Sequence, residues 1–190
     1  MFGGTFDPPH VGHWLMAQLA YEQLSADQVW FLPAPVPPHK MEQAWSRHAL
    51  RREMASALIG AELHMTVSDI EQSLPYPSYT VDTVRKCIEI YPDIEFTFLM
   101  GTDSLANLPQ WHEAGVLTEL IRFTVATRTG FPFESVYAKV KKELPALQAQ
   151  ELEMPIVDVS STFLRQRLLR NQSTCGLIPV QVLDLWHRAH

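Results

Sequence analysis

The chain has 190 residues, 46% of them hydrophobic, and carries a formal charge of −6 at pH 7 from 15 Lys and Arg against 21 Asp and Glu. That size and composition fit one domain with a substantial core, and the acidic balance argues against a broad nucleic-acid-binding face, which needs a cationic stripe. No apolar run approaches the ~18 residues a membrane span requires, and Cys87 and Cys175 show neither CxxC spacing nor a signal-peptide context, so a cytoplasmic protein without a disulfide framework or a Cys-based zinc site is expected.

The opening, MFGGTFDPPHVGHW, packs two glycines, a threonine, a Pro-Pro pair and two histidines into a terminus, where chains are usually undemanding. Because only Met1 and Phe2 precede Gly3, it reads as the carboxyl end of a first strand whose body is absent. A start placed too late is the preferred explanation, since a sheet lacking that strand would lose backbone pairing and one buried face. A helix follows from Gly12, carried by Leu15 with Leu19 and by Met16, Ala20 and Leu24. Apolar runs predict strands over Val29 to Ala34, His64 to Asp69, Glu95 to Gly101, Arg122 to Arg128 and Met154 to Ser160. Helical spacing lies between them: Leu50, Met54 and Leu58 behind an expected N-cap at Ser46, then Val81, Val84 and Ile88 behind Ser78 and ending before Pro92. Val136 and Val140 mark another helix, and Leu164 and Leu168 the next. The Pro-rich stretch from Pro33 to Lys40 reads as an ordered loop. The tail from Leu177 reads as a terminal helix packing Val182, Leu185 and Trp186; a homo-oligomer contact there is allowed, though nothing in the sequence argues for one. Strands alternating with helices imply crossovers and a parallel sheet. The expectation is a single α/β domain over residues 1–190, doubly wound and Rossmann-like, its first strand truncated and residues 160–190 forming a C-terminal helical part.

In such a sheet, ligands sit at the carboxyl ends of the strands. Gly3 and Gly4 at a strand-to-helix turn would allow close backbone approach, so that amides face a phosphate, and Thr5 adds a hydroxyl. His10 and His13 can share one side of the starting helix, where imidazole donors beside a helix N-terminus favour a group gaining negative charge. A lone HxxH is more often incidental, and two histidines could equally ligate a metal; glycines and hydroxyls without an evident third ligand shift the balance toward phosphate. Ser160, Ser161 and Thr162 stand at a second strand-to-helix junction with Arg165 one turn on. Taken alone that would be a cap and a surface arginine, but paired with the first loop it reads as a second anion site. Gly101 would allow close approach of a nucleoside, and Asp103 could accept from ribose hydroxyls or merely cap a helix. Lys40 is a point charge at the end of the Pro-rich loop. Arg47 and Arg128 are weaker cation candidates, His39 and His48 are pocket or surface residues, Cys87 reads as core, and Lys139, Lys141 and Lys142 read as a solvated helix face.

The opening GGTFDPPHVGH resembles the GxFDxxHxGH-type signature of the nucleotidyltransferases, and PPHK (Pro37 to Lys40), SYTVDT (Ser78 to Thr83), FLMGTDS (Phe98 to Ser104), Trp111 and VSSTFLR (Val159 to Arg165) resemble, in order, the motifs of its bacterial nicotinate-nucleotide adenylyltransferase branch. The resemblance covers nearly the whole chain. It implies transfer of AMP from ATP to nicotinic acid mononucleotide, with His10, His13, Lys40 and Arg165 acting on the phosphates. Gly3, Gly4, Thr5, Phe6, Gly101, Asp103, Ser160, Ser161 and Thr162 would bind ATP, and Arg165 would favour pyrophosphate as leaving group. Thr80, Trp111 and His112 would take the mononucleotide, Trp111 by stacking and the amides around Thr80 and His112 by receiving the carboxylate. Mg²⁺ is implied as a cofactor held by phosphates and water, with no protein ligands. The implied partners are the two small substrates, with no nucleic acid and no membrane. Two rival readings stand: the same chemistry on the amide mononucleotide or phosphopantetheine, against which SYTVDT and Trp111 weigh, and a non-catalytic nucleotide-binding module, against which the histidine pair weighs.

Overall fold

A computed structural model describes residues 1–34, 46–75 and 77–190. Six parallel strands, β1 (Phe2–Gly4), β2 (Val29–Pro33), β3 (Met65–Val67), β4 (Thr97–Gly101), β5 (Arg122–Ala126) and β6 (Ala149–Leu152), form one sheet in the order β3-β2-β1-β4-β5-β6. This is a doubly wound arrangement whose order reverses between β1 and β4, so a crevice opens at their carboxyl ends. Eight helices among the described residues make the crossovers and cover both faces: α1 (Val11–Gln23), α2 (His48–Ile59), α3 (Thr80–Ile90), α4 (Thr102–Asn107), α5 (Ala114–Leu120), α6 (Phe133–Glu143), α7 (Ser161–Leu169) and α8 (Val180–Ala189).

The central strand is short, as the opening predicts. β1 pairs with β2 over three residues and with β4 through Phe2 opposite Leu99. Alternating side chains feed two cores. Phe2, Phe31 and Leu99 pack with Met16, Met54 and Trp186 on one face, while Leu32, Phe98 and Met100 pack with Val84, Leu117 and Val140 on the other. Cys87 is fully buried in the second core, where burial pushes its thiol up to about 11.

Two local expectations are corrected, and two short helices are added. No strand forms over 154–160: the edge strand is β6, and its register with β5 ends at Ala126 opposite Leu152. Beyond that rung no described strand pairs with the chain, and Ile156 stands 62% exposed, so apolar alternation without a ladder to join leaves an irregular segment leading into α7. Ser46 does not cap α2, whose N-cap position is Arg47 without a side-chain hydrogen bond. The short helices α4 and α5, of six and seven residues, offer too few turns for a periodic signal.

Candidate active site

The chain leaves β1 through a turn that ends where α1 begins. Neither Gly3 nor Gly4 has positive φ, so neither is needed for a left-handed torsion. They are required by packing: a Cβ on Gly3 would lie 2.7 Å from Phe98 Cζ, and one on Gly4 2.9 Å from Phe6 Cζ. The residue in the left-handed region is Phe6, at φ 51°, a conformation rare for a bulky side chain and held only where surroundings over-determine it. Asp7 follows, joined to Pro8 by a cis peptide. Its buried carboxylate accepts from the Ser46 N–H (3.1 Å) and faces the Arg165 guanidinium at 3.6 Å.

His10 is the N-cap of α1 and forms a reciprocal cap with His13. Its Nδ1 accepts from Gly12 N–H at 3.2 Å, while His10 N–H donates to His13 Nδ1 at 3.2 Å. Gly12 gives the room, since a Cβ there would lie 3.1 Å from the His10 ring. The two ring centroids lie 3.8 Å apart, with the planes tilted by 40°. Burial, reinforced by the Arg128 charge, lowers His10 to about 4. Burial also takes His13 well below its ordinary value, with His10 and Arg128 adding to the effect. Both rings are therefore neutral at pH 7, and because each Nδ1 accepts a backbone N–H, each carries its proton on Nε2. The arrangement presents two neutral N–H donors at a helix N-terminus, suited to accumulating negative charge and unsuited to lone-pair ligation of a metal.

Around this pair the structure gathers groups from four other elements. At the end of β4, a Cβ on Gly101 would meet Asp103 Oδ1 at 2.5 Å and Arg128 Nε at 3.3 Å, so glycine here lets both side chains fold over the strand end. Arg128, only a weak candidate from sequence, follows β5 and is anchored by its N–H to Thr102 Oγ1 (2.8 Å) and by Nη1 to the carbonyl oxygens of Val157 (3.2 Å) and Val159 (3.4 Å). Its charge lowers the pKa of both histidines. At α7, Ser160 is the N-cap and accepts from Phe163 N–H, while Ser161 Oγ donates to Pro8 O (2.9 Å), tying the second loop to the first. Arg165 donates to the Asp7 carbonyl at 2.9 Å, so its guanidinium braces the signature turn as well as standing beside it. Thr162 is exposed on the same turn. Lys40, His39 and the Pro-rich stretch beyond Ala34 lie outside the described residues. His48 hydrogen-bonds Pro33 O through Nε2 (2.9 Å), fastening α2 to the end of β2.

The residues expected for the mononucleotide meet across α3 and α5. Thr80 opens α3, which has no side-chain cap. His112 stacks on the preceding Tyr79 at 4.1 Å, and Arg85 pairs with Glu113 at 2.6 Å, closing the same rim. Trp111 is half-buried and meets Phe98 edge to face, which distinguishes it from the core residue Trp186. Among the described residues no three His, Cys, Asp or Glu side chains converge as a metal cage. A cavity of about 890 Å³ opens at the other end of the sheet, lined by Met1, Trp30, Thr97 and Arg122 among others; it holds none of these groups.

No helix among the described residues is long and apolar enough to cross a membrane. Residues 1–167 match the family described as "Cytidylyltransferase-like". A Bacillus licheniformis protein named "Probable nicotinate-nucleotide adenylyltransferase" is 40% identical over 182 residues, covering 96% of this chain and 91% of that one. An Exiguobacterium sibiricum protein of the same name is 41% identical over 185 residues, covering 97% and 93%. The solved Plasmodium falciparum nicotinic acid mononucleotide adenylyltransferase, in complex with NaAD, shares the fold with a TM-score of 0.80 at 19% identity, over 98% of this chain and 93% of that one. The chain belongs to the cytidylyltransferase-like family and, within it, to the nicotinate-nucleotide adenylyltransferases.

Proposed function

We propose that this enzyme transfers AMP from ATP to nicotinic acid mononucleotide, forming nicotinic acid adenine dinucleotide and pyrophosphate. A phosphate oxygen of the mononucleotide forms a bond to the α-phosphorus of ATP while the bond from that phosphorus to the oxygen bridging to the β-phosphate breaks. Because a phosphate monoester is largely ionised at neutral pH, the nucleophile needs no general base; positioning and charge stabilisation carry the reaction. The observation that carries the reading is the histidine pair. Two neutral rings with Nδ1 committed to backbone and Nε2–H left to donate are stabilisers of phosphoryl charge, not bases.

In this reading His10 and His13 donate to the oxygens on which charge develops, and Arg128, Arg165 and Lys40 supply cations for the triphosphate and the departing pyrophosphate. Gly3, Gly4, Thr5, Phe6, Ser160, Ser161 and Thr162 shape the phosphate walls, and Gly101 with Asp103 receives the adenosine. Trp111 stacks on the pyridine ring, and the amides at the uncapped start of α3 (Thr80) and at His112 receive its carboxylate, so the amide analogue would set NH₂ against donors. Nucleotidyltransferases of this family generally use a divalent metal. The Nδ1 atoms of His10 and His13 are committed to backbone N–H groups, which fits Mg²⁺ held by the triphosphate and water, where it would neutralise phosphate charge. The test is pyrophosphate release with ATP and Mg²⁺, comparing nicotinic acid mononucleotide, its amide and phosphopantetheine. Turnover with the acid supports the reading, and ATP binding without turnover of any acceptor overturns it.

A further inference from the structure

Arg51, on the first turns of α2, is a charged side chain that neither substrate is expected to touch. It is 1% exposed, and its donors point at two backbone carbonyls: Nε to Ser46 O at 3.0 Å and Nη1 to Thr5 O at 2.8 Å. The Ser46 residue is held from its other side as well, because its N–H donates to Asp7 Oδ2 at 3.1 Å. Arg51 and Asp7 thus grip one residue from opposite ends, and both also fix the turn between β1 and α1, Arg51 at Thr5 and Asp7 from within. That turn contains Phe6 at φ 51° and ends at His10, so its geometry needs external support.

We propose that Arg51, with Asp7 across Ser46, positions the reacting histidines by holding the Thr5–Asp7 turn, and that the planar guanidinium is required because two acceptors in different directions must be bonded at once. A lysine keeps the charge but not the fork. Arg51 and Asp7 are positioning residues: they act through the turn, not on substrate. Arg165 and Ser161 hold the same turn from α7, at the Asp7 and Pro8 carbonyls, but both stand beside the phosphates in the reading above, whereas Arg51 is withdrawn behind the turn.

This inference rests on the adenylyl-transfer reading for its kinetic consequence, not for its structural one. The experiment measures wild type, R51K and D7N by pyrophosphate release and by ¹⁵N spectra of the His10 and His13 side chains at pH 7.5, with urea unfolding to fix the folded fraction. Expected for folded R51K are a kcat lower by about 10- to 100-fold, as a displacement near 1 Å of reacting groups gives, a KM for ATP within about threefold of wild type, and displaced imidazole signals showing Nδ1 no longer held as an acceptor. D7N is expected to move the same imidazole signals, and decides the matter if R51K does not fold. Unmoved imidazole signals in the folded variants, or a kcat loss no larger than the unfolded fraction, would overturn the proposal. If wild type makes no pyrophosphate with any acceptor, the adenylyl-transfer reading fails, and the imidazole spectra still decide whether Arg51 and Asp7 position the histidines.

Discussion

Glu71 lies in the 3-10 turn Ile70–Ser73. Its Oε1 accepts from Thr83 Oγ1 at 3.0 Å, while Oε2 is buried and has no hydrogen-bond partner among the described residues. Burial raises its pKa from an ordinary 4.5 to about 7, against the opposing Thr83 hydrogen bond and Arg51 charge. Between those two values the folded state binds more protons than the unfolded chain, so stability falls as pH rises through the window and is least above pH 7. The difference is worth about 3 kcal/mol at ~1.4 kcal/mol per pH unit, reduced to about 1–2 kcal/mol by solvent screening at a partly exposed side chain. Glu71→Gln keeps the acceptor for Thr83 and cannot ionise. It should therefore be more stable than wild type by about 1–2 kcal/mol at pH 8, or about 2–8 °C in Tm for a chain of this size, and nearly equal to it at pH 4.5. Urea unfolding of both proteins at pH 4.5, 6 and 8 reads this directly. The histidine pair, whose lowered pKa values make stability rise with pH toward 6.5, from about 4 for His10, contributes equally to both proteins and cancels in the comparison. A stability difference that does not change with pH would refute the assignment of the raised pKa to a buried, unpartnered oxygen.

Three further outcomes follow from the site. His13→Ala should lower kcat by about 10²–10³ while ATP affinity changes little, the pattern of a donor used in the transition state; equal losses in binding and turnover would make it a ground-state ligand. In ¹⁵N spectra at pH 7, both His10 and His13 should show the neutral Nε2–H tautomer, with His10 protonating near pH 4, and a charged ring at pH 7 would contradict the capping geometry. Trp111→Ala should raise the KM for the mononucleotide and leave ATP binding intact, as judged by titration with each substrate separately; a defect confined to ATP would refute stacking.

The amino-acid sequence by itself determined the alternation of elements and therefore the wound parallel sheet, because buried strands and amphipathic helices write their periods locally. It also pointed to the candidate site: HxxH and GTD follow the strands β1 and β4 directly, whereas SST opens α7 only after an irregular segment. Tertiary structure decided what depends on partners distant in the chain. β6 is Ala149–Leu152 and not the more apolar run after it, because strand pairing with β5 ends there. Gly3 and Gly4 are glycines because Phe98 and Phe6 pack onto them. Arg51 carried no signal as one arginine on an ordinary helix, and Arg128 only a weak one; their significance comes from carbonyls and rings many residues away. Even the protonation of the histidines is a tertiary property, since the signature supplies the rings, but burial, a neighbouring guanidinium and two backbone N–H groups decide that they remain neutral donors.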